Sequence, residues 1–468
     1  MNATSGAISS WPARWAGQGL PLLAAGLAGA LCGVGFLQSW PVGLAVLLAM
    51  GIALVGLRHP LICWGGAVLA ITVPHAVPEV VDTAIFWGLV TVFLMGWLVQ
   101  QRTDRRRIEL RDQRLWWCAL SWLAVALVST CQSIAPLESI KEMARYVLSF
   151  AALLAYLNWL RSEGQVRGML GWLQGSAGLV AVVAVVAGWW RLHTGLDPSR
   201  LGWANPNPVE LSVLLTALIP VSVSLVWTPG ARRRWPQLLF LGAAGAALAL
   251  IGSRASALAI LTGVVVVCWW RSRRRFYQAL LATGLVGLVL LAPLRSHDGS
   301  LRAGLIASLS GREQVWRAAG QAIAHEPFLG IGPGAWSTWF GQQFSSADFL
   351  RYDAEGNSSF DQPATLQGEA HNLFLTKAAE MGLPSVLLLA ALLVFWAQAA
   401  RRSMRRLPEG WVRAAAIGSL ASLCGLLAYS LFEHGPLIGR ARGVDVIVVW
   451  WLAALPLVAS RLIADPGR

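Results

Sequence analysis

Apolar runs dominate this chain, and their lengths set the first reading. They fall near residues 16–36, 39–57, 60–77, 83–100, 115–133, 140–160, 166–190, 208–227, 236–252, 255–270, 276–294, 371–400, 411–433 and 444–463. A helix needs about 20 mostly apolar residues to cross a bilayer, with about 17 as the lower limit. Fourteen runs therefore qualify, several of them at that limit. In lipid the backbone must satisfy its own polar groups, and the alternation of a β-barrel strand is absent, so helices are expected. The expected fold is an all-α polytopic membrane protein with about 12 (12–14) transmembrane helices. The run near 16–36 has no short hydrophobic region followed by a cleavage site and reads as a retained span.

Charge assigns sides to these spans. Only 13% of residues are charged and 56% are hydrophobic, against about 25% charged in soluble domains. A net charge of +14 would suggest nucleic acid in a soluble protein. Here topology explains most of it, because short loops rich in Arg stay in the cytoplasm. Seventeen arginines form four clusters: Arg102, Arg105, Arg106, Arg107, Arg111 and Arg114; Arg232 to Arg234; Arg271 and Arg273 to Arg275; and Arg401, Arg402, Arg405 and Arg406. An even number of candidate spans separates each cluster from the next, which places both termini in the cytoplasm. The opposite side receives roughly 37–39, 75–82, 134–139, 191–207, 295–370 and 434–443, with the tight turn Gly252-Ser253-Arg254. The six cysteines lie in or at the ends of apolar runs without a CxxC pair, so neither disulfides nor zinc are indicated.

One outer segment stands apart. Residues 295–370 separate the spans of 1–294 from those of 371–468 within a single integral-membrane domain, and loops this long are functional or disordered. Ser310-Gly-Arg-Glu313 matches a capping box, and Val315, Trp316, Ala319, Ala322 and Ile323 follow at helical spacing. This predicts an amphipathic helix lying on the membrane surface and ending near His325. The stretch "HEPFLGIGPGAW" then breaks it. A span begins at His371, with Lys377 and Glu380 ahead of its uninterrupted apolar stretch. Its first turns are expected above the hydrocarbon or lining a cavity.

Outward arginines are the minority under the positive-inside bias and ask for a reason. Arg254 sits between two apolar runs, Arg200 in "SRLGWANPNPVELS", and Arg312 at the start of the amphipathic helix; Arg191, Arg440 and Arg442 lie on the same side. Arginine suits bidentate phosphate recognition, so a lipid-linked pyrophosphate is a fitting ligand. Outer acids form no DxD pair and no HxxE face, which indicates no metal. His371 is the leading general base, since imidazole titrates nearest ambient pH. Asn372 either orients a sugar hydroxyl or caps the helix. Glu369, His325 and His434 are further acceptor-binding or orienting candidates. Trp336 and Trp339 stack on sugar rings or anchor at the interface.

These motifs carry a resemblance. The order "NPNPVELS", "GSRAS", "GREQVWRAA", "HEPFLGIGPGAW" and "EAHNLFLTKAAEMG" over about residues 190–445 resembles the O-antigen ligase and polymerase superfamily, most closely its ligases of WaaL type. The resemblance implies a GT-C-like glycosyltransferase of the bacterial inner membrane with its active site facing the periplasm. It implies transfer of O-antigen from undecaprenyl pyrophosphate to lipid A–core oligosaccharide, without metal, nucleotide or nucleic acid. By motif, His371 would be the base, and Arg254 and Arg312 would hold the pyrophosphate. An O-antigen polymerase or a protein O-oligosaccharyltransferase would share that donor. A glycan transporter is disfavoured, since no internal repeat is visible.

Overall fold

The computed structural model describes residues 51, 57, 59–72, 79–105, 107–110, 112–194, 208–228, 234–281, 312–343, 350–352, 358–360, 370–405, 407–433 and 445–464. The chain divides into two compact units, Met1–Gly66 with Gly88–Arg105, and Ala67–Trp87 with Arg106–Arg468. Helices α1 (Pro60–Thr72) and α2 (Glu79–Thr103) each carry residues of both. Everything that follows lies in the second unit.

Its helices coincide with the apolar runs. They are α3 (Gln113–Cys131), α4 (Pro136–Trp159), α5 (Glu163–His193), α6 (Pro208–Val226), α7 (Trp235–Ile251) and α8 (Arg254–Arg271). Local chemistry sets their ends. Asp112 and Ser162 cap α3 and α5 through their side chains, and Pro136 and Pro236 sit in the first turns of α4 and α7. The outer segment contributes α9 (Arg312–His325), α10 (Trp336–Gln343) and an antiparallel pair of three-residue strands, β1 (Leu350–Tyr352) and β2 (Ser358–Phe360). Then come α11 (Leu373–Met404), α12 (Trp411–Tyr429), a π-helical turn (Asp445–Val449) and α13 (Trp450–Ala464). Among the described residues five helices are long and apolar enough to cross a membrane (α3, α5, α8, α11 and α12), and three shorter apolar helices accompany them. The expected spans near 16–36 and 39–57, and most of 276–294, lie outside the described residues.

Helix α12 is the central element, packed on α6, α8 and α13. Close approach comes from small residues: a Cβ on Gly418 would strike the backbone of Val221, and one on Gly425 the carbonyl of Ala259. The two ends of the unit differ in chemistry. At one end Arg402 pairs with Asp112 at 2.7 Å, Arg271 with Glu409 at 3.2 Å, and Arg461 donates to the carbonyls of Leu157 and Leu160 at 2.7 Å. At the other, Leu373 N donates to Ser430 O at 2.9 Å. Arg271 and Arg402 thus gather away from the start of α11, as the alternation of sides predicts.

Helix α11 is broken at Gly382 (φ 74°, ψ 170°), two residues before Pro384, which has no N–H to give. The groups freed by the break are met by the glycine-rich loop 327–334. Ile331 N donates to Ala379 O at 3.0 Å, Gly332 N to Glu380 O at 2.9 Å, and Leu383 N to Pro327 O at 2.8 Å. Ser129 and Ser385 hydroxyls satisfy Glu380 O and Lys377 O, each at 3.0 Å. Strand-like pairing therefore replaces helical bonds over one turn.

The same docking corrects the expectation for α9. It does not lie on a lipid surface. Val315, Ala318, Ala319 and Ala322 are buried against a cluster that includes Ala335, Trp336, Phe340 and Ala379. Its apolar stripe is mostly alanine, which is too slight to hold lipid firmly but allows close helix contact. The capping residue expected for it, Ser310, lies outside the described residues.

A side chain has no room at the break. A Cβ on Gly330 would collide with the Glu380 backbone and one on Gly382 with the Phe328 carbonyl, and both glycines have positive φ. Gly330→Ala and Gly382→Ala are each expected to cost about 2–4 kcal/mol, read as a lower Tm in detergent. Gly320→Ala, on the exposed face of α9 with nothing within 4 Å, should leave Tm unchanged or slightly raised.

Candidate active site

The turn before α11 is built from side-chain and backbone bonds in series. Asn372 is the N-cap: its Oδ1 accepts from Leu375 N at 3.0 Å. Its Nδ2 donates to Leu431 O at 2.9 Å, tying the cap to the end of α12. The helix therefore starts at Leu373, not at His371, and the two readings of Asn372 resolve to the cap. Ala370 is fully buried, and its carbonyl accepts from Trp316 Nε1 at 3.0 Å, joining α9 to the same turn.

Between these anchors His371 adopts φ 48°, a left-handed conformation that L-residues seldom take. Outliers of this kind persist where their surroundings over-determine them. Its Nδ1 lies 3.0 Å from Glu433 Oε2, and both side chains are about three-quarters buried (22% and 24% exposed). The other ring nitrogen, Nε2, is buried and has no hydrogen-bond partner among the described residues. A carboxylate at Nδ1 selects the tautomer with its proton there and leaves Nε2 as the acceptor, an arrangement suited to taking a proton. Glu433 is the partner of His371 that sequence reasoning did not single out. Its only signal was its place just past the last turn of α12, at the same chain end as the expected outer surface.

The expected arginines distribute as follows. Arg254 is the first residue of α8 and exposed, with Ser253 as the N-cap accepting from Ser256 N, and Gly252 (φ 68°) ending α7. Helices α8 and α12 run antiparallel, Ala259 lying against Gly425 and Gly263 against Ala421. That register carried on sets Arg254 level with Ser430, whose carbonyl receives the first N–H of α11. Arg254 thus shares an end with His371, at a helix N-terminus whose dipole favours an anion. Arg191 is half-buried in the last turn of α5; Gln174 meets Gln237 at 2.8 Å and Gly178 lies against Phe240, which sets α5 parallel to α7, so Arg191 lies toward the Gly252 end with Arg254. The backbone of Arg312 opens α9. Arg200, Arg440, Arg442, Glu369 and His434 lie outside the described residues.

His325 ends α9, exposed, with its ring 5.6 Å from that of Trp339 and Nδ1 3.6 Å from Glu326 Oε1. Trp336 and Trp339 are core residues, 0% and 8% exposed, and so neither stack on sugars nor anchor at an interface. Among the described residues no cluster of His, Cys, Asp or Glu could hold a metal ion.

Lys377 and Glu380 also depart from expectation. They are buried against protein, 1% and 3% exposed, in a charge network with α4. Lys377 Nζ lies 3.1 Å from Glu380 Oε2, 2.6 Å from the Tyr146 hydroxyl and 3.9 Å from Glu142 Oε1, while Arg145 pairs with Glu142 Oε2 at 2.9 Å. Mixed charge in a dry interior is tolerated only when paired. The network fixes the first turns of α11, the segment that carries His371. Lys377→Met, which strands the Glu380 carboxylate and leaves Glu142 with Arg145 alone, is expected to cost about 3–5 kcal/mol, and Lys377→Met with Glu380→Gln less, as seen in thermal unfolding of the purified proteins.

Residues 237–390 match the protein family described as O-Antigen ligase. The matched stretch takes in α7, the Ser253-Arg254 turn, α8, α9, the glycine-rich loop, His371 and the break in α11; Glu433 lies beyond it. No curated protein matches the chain. The family match supports the O-antigen ligase superfamily.

Proposed function

We propose, from the O-antigen ligase superfamily signature of residues 237–390, that this membrane enzyme is a ligase-type glycosyltransferase. It moves O-antigen from undecaprenyl pyrophosphate to lipid A–core oligosaccharide at the outer face of the bacterial inner membrane. The observation that carries the reading is the His371–Glu433 pair: Nδ1 engaged at 3.0 Å, Nε2 buried and unpartnered among the described residues, at the end of the protein that Arg254 occupies.

The chemistry follows from that arrangement. His371 Nε2 takes the proton of an acceptor sugar hydroxyl as its oxygen attacks the anomeric carbon of the donor. The bond from that carbon to the pyrophosphate oxygen breaks, its electron pair leaves with the lipid pyrophosphate, and the anomeric centre inverts. Glu433 holds the imidazole in its working tautomer and stabilises the imidazolium that forms. Arg254 and Arg312 neutralise the departing phosphates, with Arg191, Arg200, Arg440 and Arg442 as further cations of that face. Arginine fills the role that a divalent metal plays in other phosphate-releasing transferases, so transfer should proceed in EDTA.

Three variants test this in a ligase-null strain, read as smooth lipopolysaccharide on a gel, and by transfer rate in vitro. His371→Ala should lose at least about 10³-fold in rate and remain folded, because the cap and the Ser430 bond do not need the ring. Glu433→Gln, which accepts from Nδ1 less strongly and permits the wrong tautomer, should lose about 10²–10³-fold. Arg254→Lys should recover little, since an ammonium lacks the bidentate fork. Near-normal ligation by His371→Ala would refute the base assignment. Polymer made without any transfer to core would mark a polymerase instead.

A further inference from the structure

The other end of the protein holds a second arrangement that transfer chemistry does not use. Helices α3, α4, α11, α12 and α13 flank a partly open pocket of about 900 Å³, its open mouth included, whose wall is almost wholly apolar, including Phe150, Leu392 and Leu423. Adjoining it is an open pocket of about 790 Å³, its mouth included, at the arginine-rich end, where Asp112, Arg402, Ser403 and Ser460 line it together with apolar residues such as Leu157 and Leu457. Leu115 and Trp116 line both, so the two meet at that pair of residues. Trp116 is 91% buried (9% exposed), and its indole N–H has no hydrogen-bond partner among the described residues. A buried donor at such a junction calls for an acceptor that arrives with a ligand.

The layers run in a fixed order: a guanidinium with two hydroxyls, then one unmatched N–H, then hydrocarbon-lined space. We infer that the paired cavities bind one ester-linked glycerophospholipid of the inner leaflet. Its phosphate sits beside Arg402, Ser403 and Ser460, an ester carbonyl accepts from Trp116 Nε1, and an acyl chain fills the apolar cavity. Arg402 remains tied to Asp112 at 2.7 Å, which orients the guanidinium at the mouth. A polyprenyl pyrophosphate fits the sequence of layers less well. It has no ester carbonyl for Trp116, and its phosphates belong with Arg254 at the opposite end. This site is independent of the proposed transfer reaction.

The test is lipid retention by the full chain. Purified protein washed in mild detergent is examined by native mass spectrometry and by lipid extraction, then challenged with nanodiscs of phosphatidylethanolamine and phosphatidylglycerol. Wild type should retain one glycerophospholipid per chain. Trp116→Phe keeps the ring and loses the N–H, so it should retain about fivefold less, as expected for one hydrogen bond. Arg402→Gln should also lower retention, and Ala119→Phe should occupy the apolar cavity and abolish it. If Ala119→Phe is not monodisperse, Trp116→Phe decides alone. A wild type without bound lipid, retention unaltered by Trp116→Phe, or a polyprenyl phosphate extracted in place of the phospholipid would each overturn the assignment.

Discussion

The pairing of the glycine-rich loop with the break in α11 is the contact on which the rest of the outer end depends. A helix crossing a bilayer cannot be interrupted unless protein supplies partners for the freed amides and carbonyls. Gly382 and Pro384 create such an interruption, and the backbone of residues 327–332 closes it. The loop comes within reach only because it lacks side chains where it crosses Glu380 and Phe328. From this one contact follow the seat of α9 and α10 on α11, the burial of Trp336 and Trp339, and the position of Ala370 under Trp316. His371 is then held from both sides, by the docked outer helices and by α12.

Most of the helical plan was legible in the chain. Apolar run length predicts the described helices to within a few residues, and the tight turn at Gly252-Ser253-Arg254 exists as a left-handed C-cap followed by an N-cap. Arginine parity predicts which ends come together, because the bilayer penalises every alternative. The position of His371 at a junction was readable for the same reason: an ionisable ring before an apolar run marks an interface. What was not legible is contact between segments distant in sequence. Glu433 is 62 residues from His371, and Lys377 reaches a tyrosine 231 residues away. No periodicity reports such pairs. A lysine and a glutamate early in a span read as exposed, since a burial that costs several kcal/mol per unpaired ion is expected only when partners are known. Helix α9 misled for a related reason. An amphipathic stripe states that a face is covered but not whether lipid or protein covers it.

The two ends of the unit carry arginine for different purposes. At the end of Arg271, Arg402 and Arg461, guanidiniums are tied to nearby acids or to helix C-terminal carbonyls, which is the economy of a positive-inside surface. At the other end Arg254 opens a helix, where its charge adds to the dipole. Stability alone would favour an acid at that position. In the proposed reaction the departing pyrophosphate is the anion that a cation at this position would meet.

The strained backbone at His371 belongs to the same logic. Its left-handed φ is disfavoured for any residue with a Cβ, and glycine would relieve it. The conformation gives the chain something the helix cannot: with residue 371 outside α11, the ring turns back toward Glu433 rather than lying along the helix surface. Had the helix begun one residue earlier, the Asn372 cap would be lost and the imidazole would leave the carboxylate. The cap, the strain and the His371–Glu433 pair are thus one device. Asn372 contributes by fixing where the helix starts, which determines where the His371 ring, the proposed proton acceptor, points.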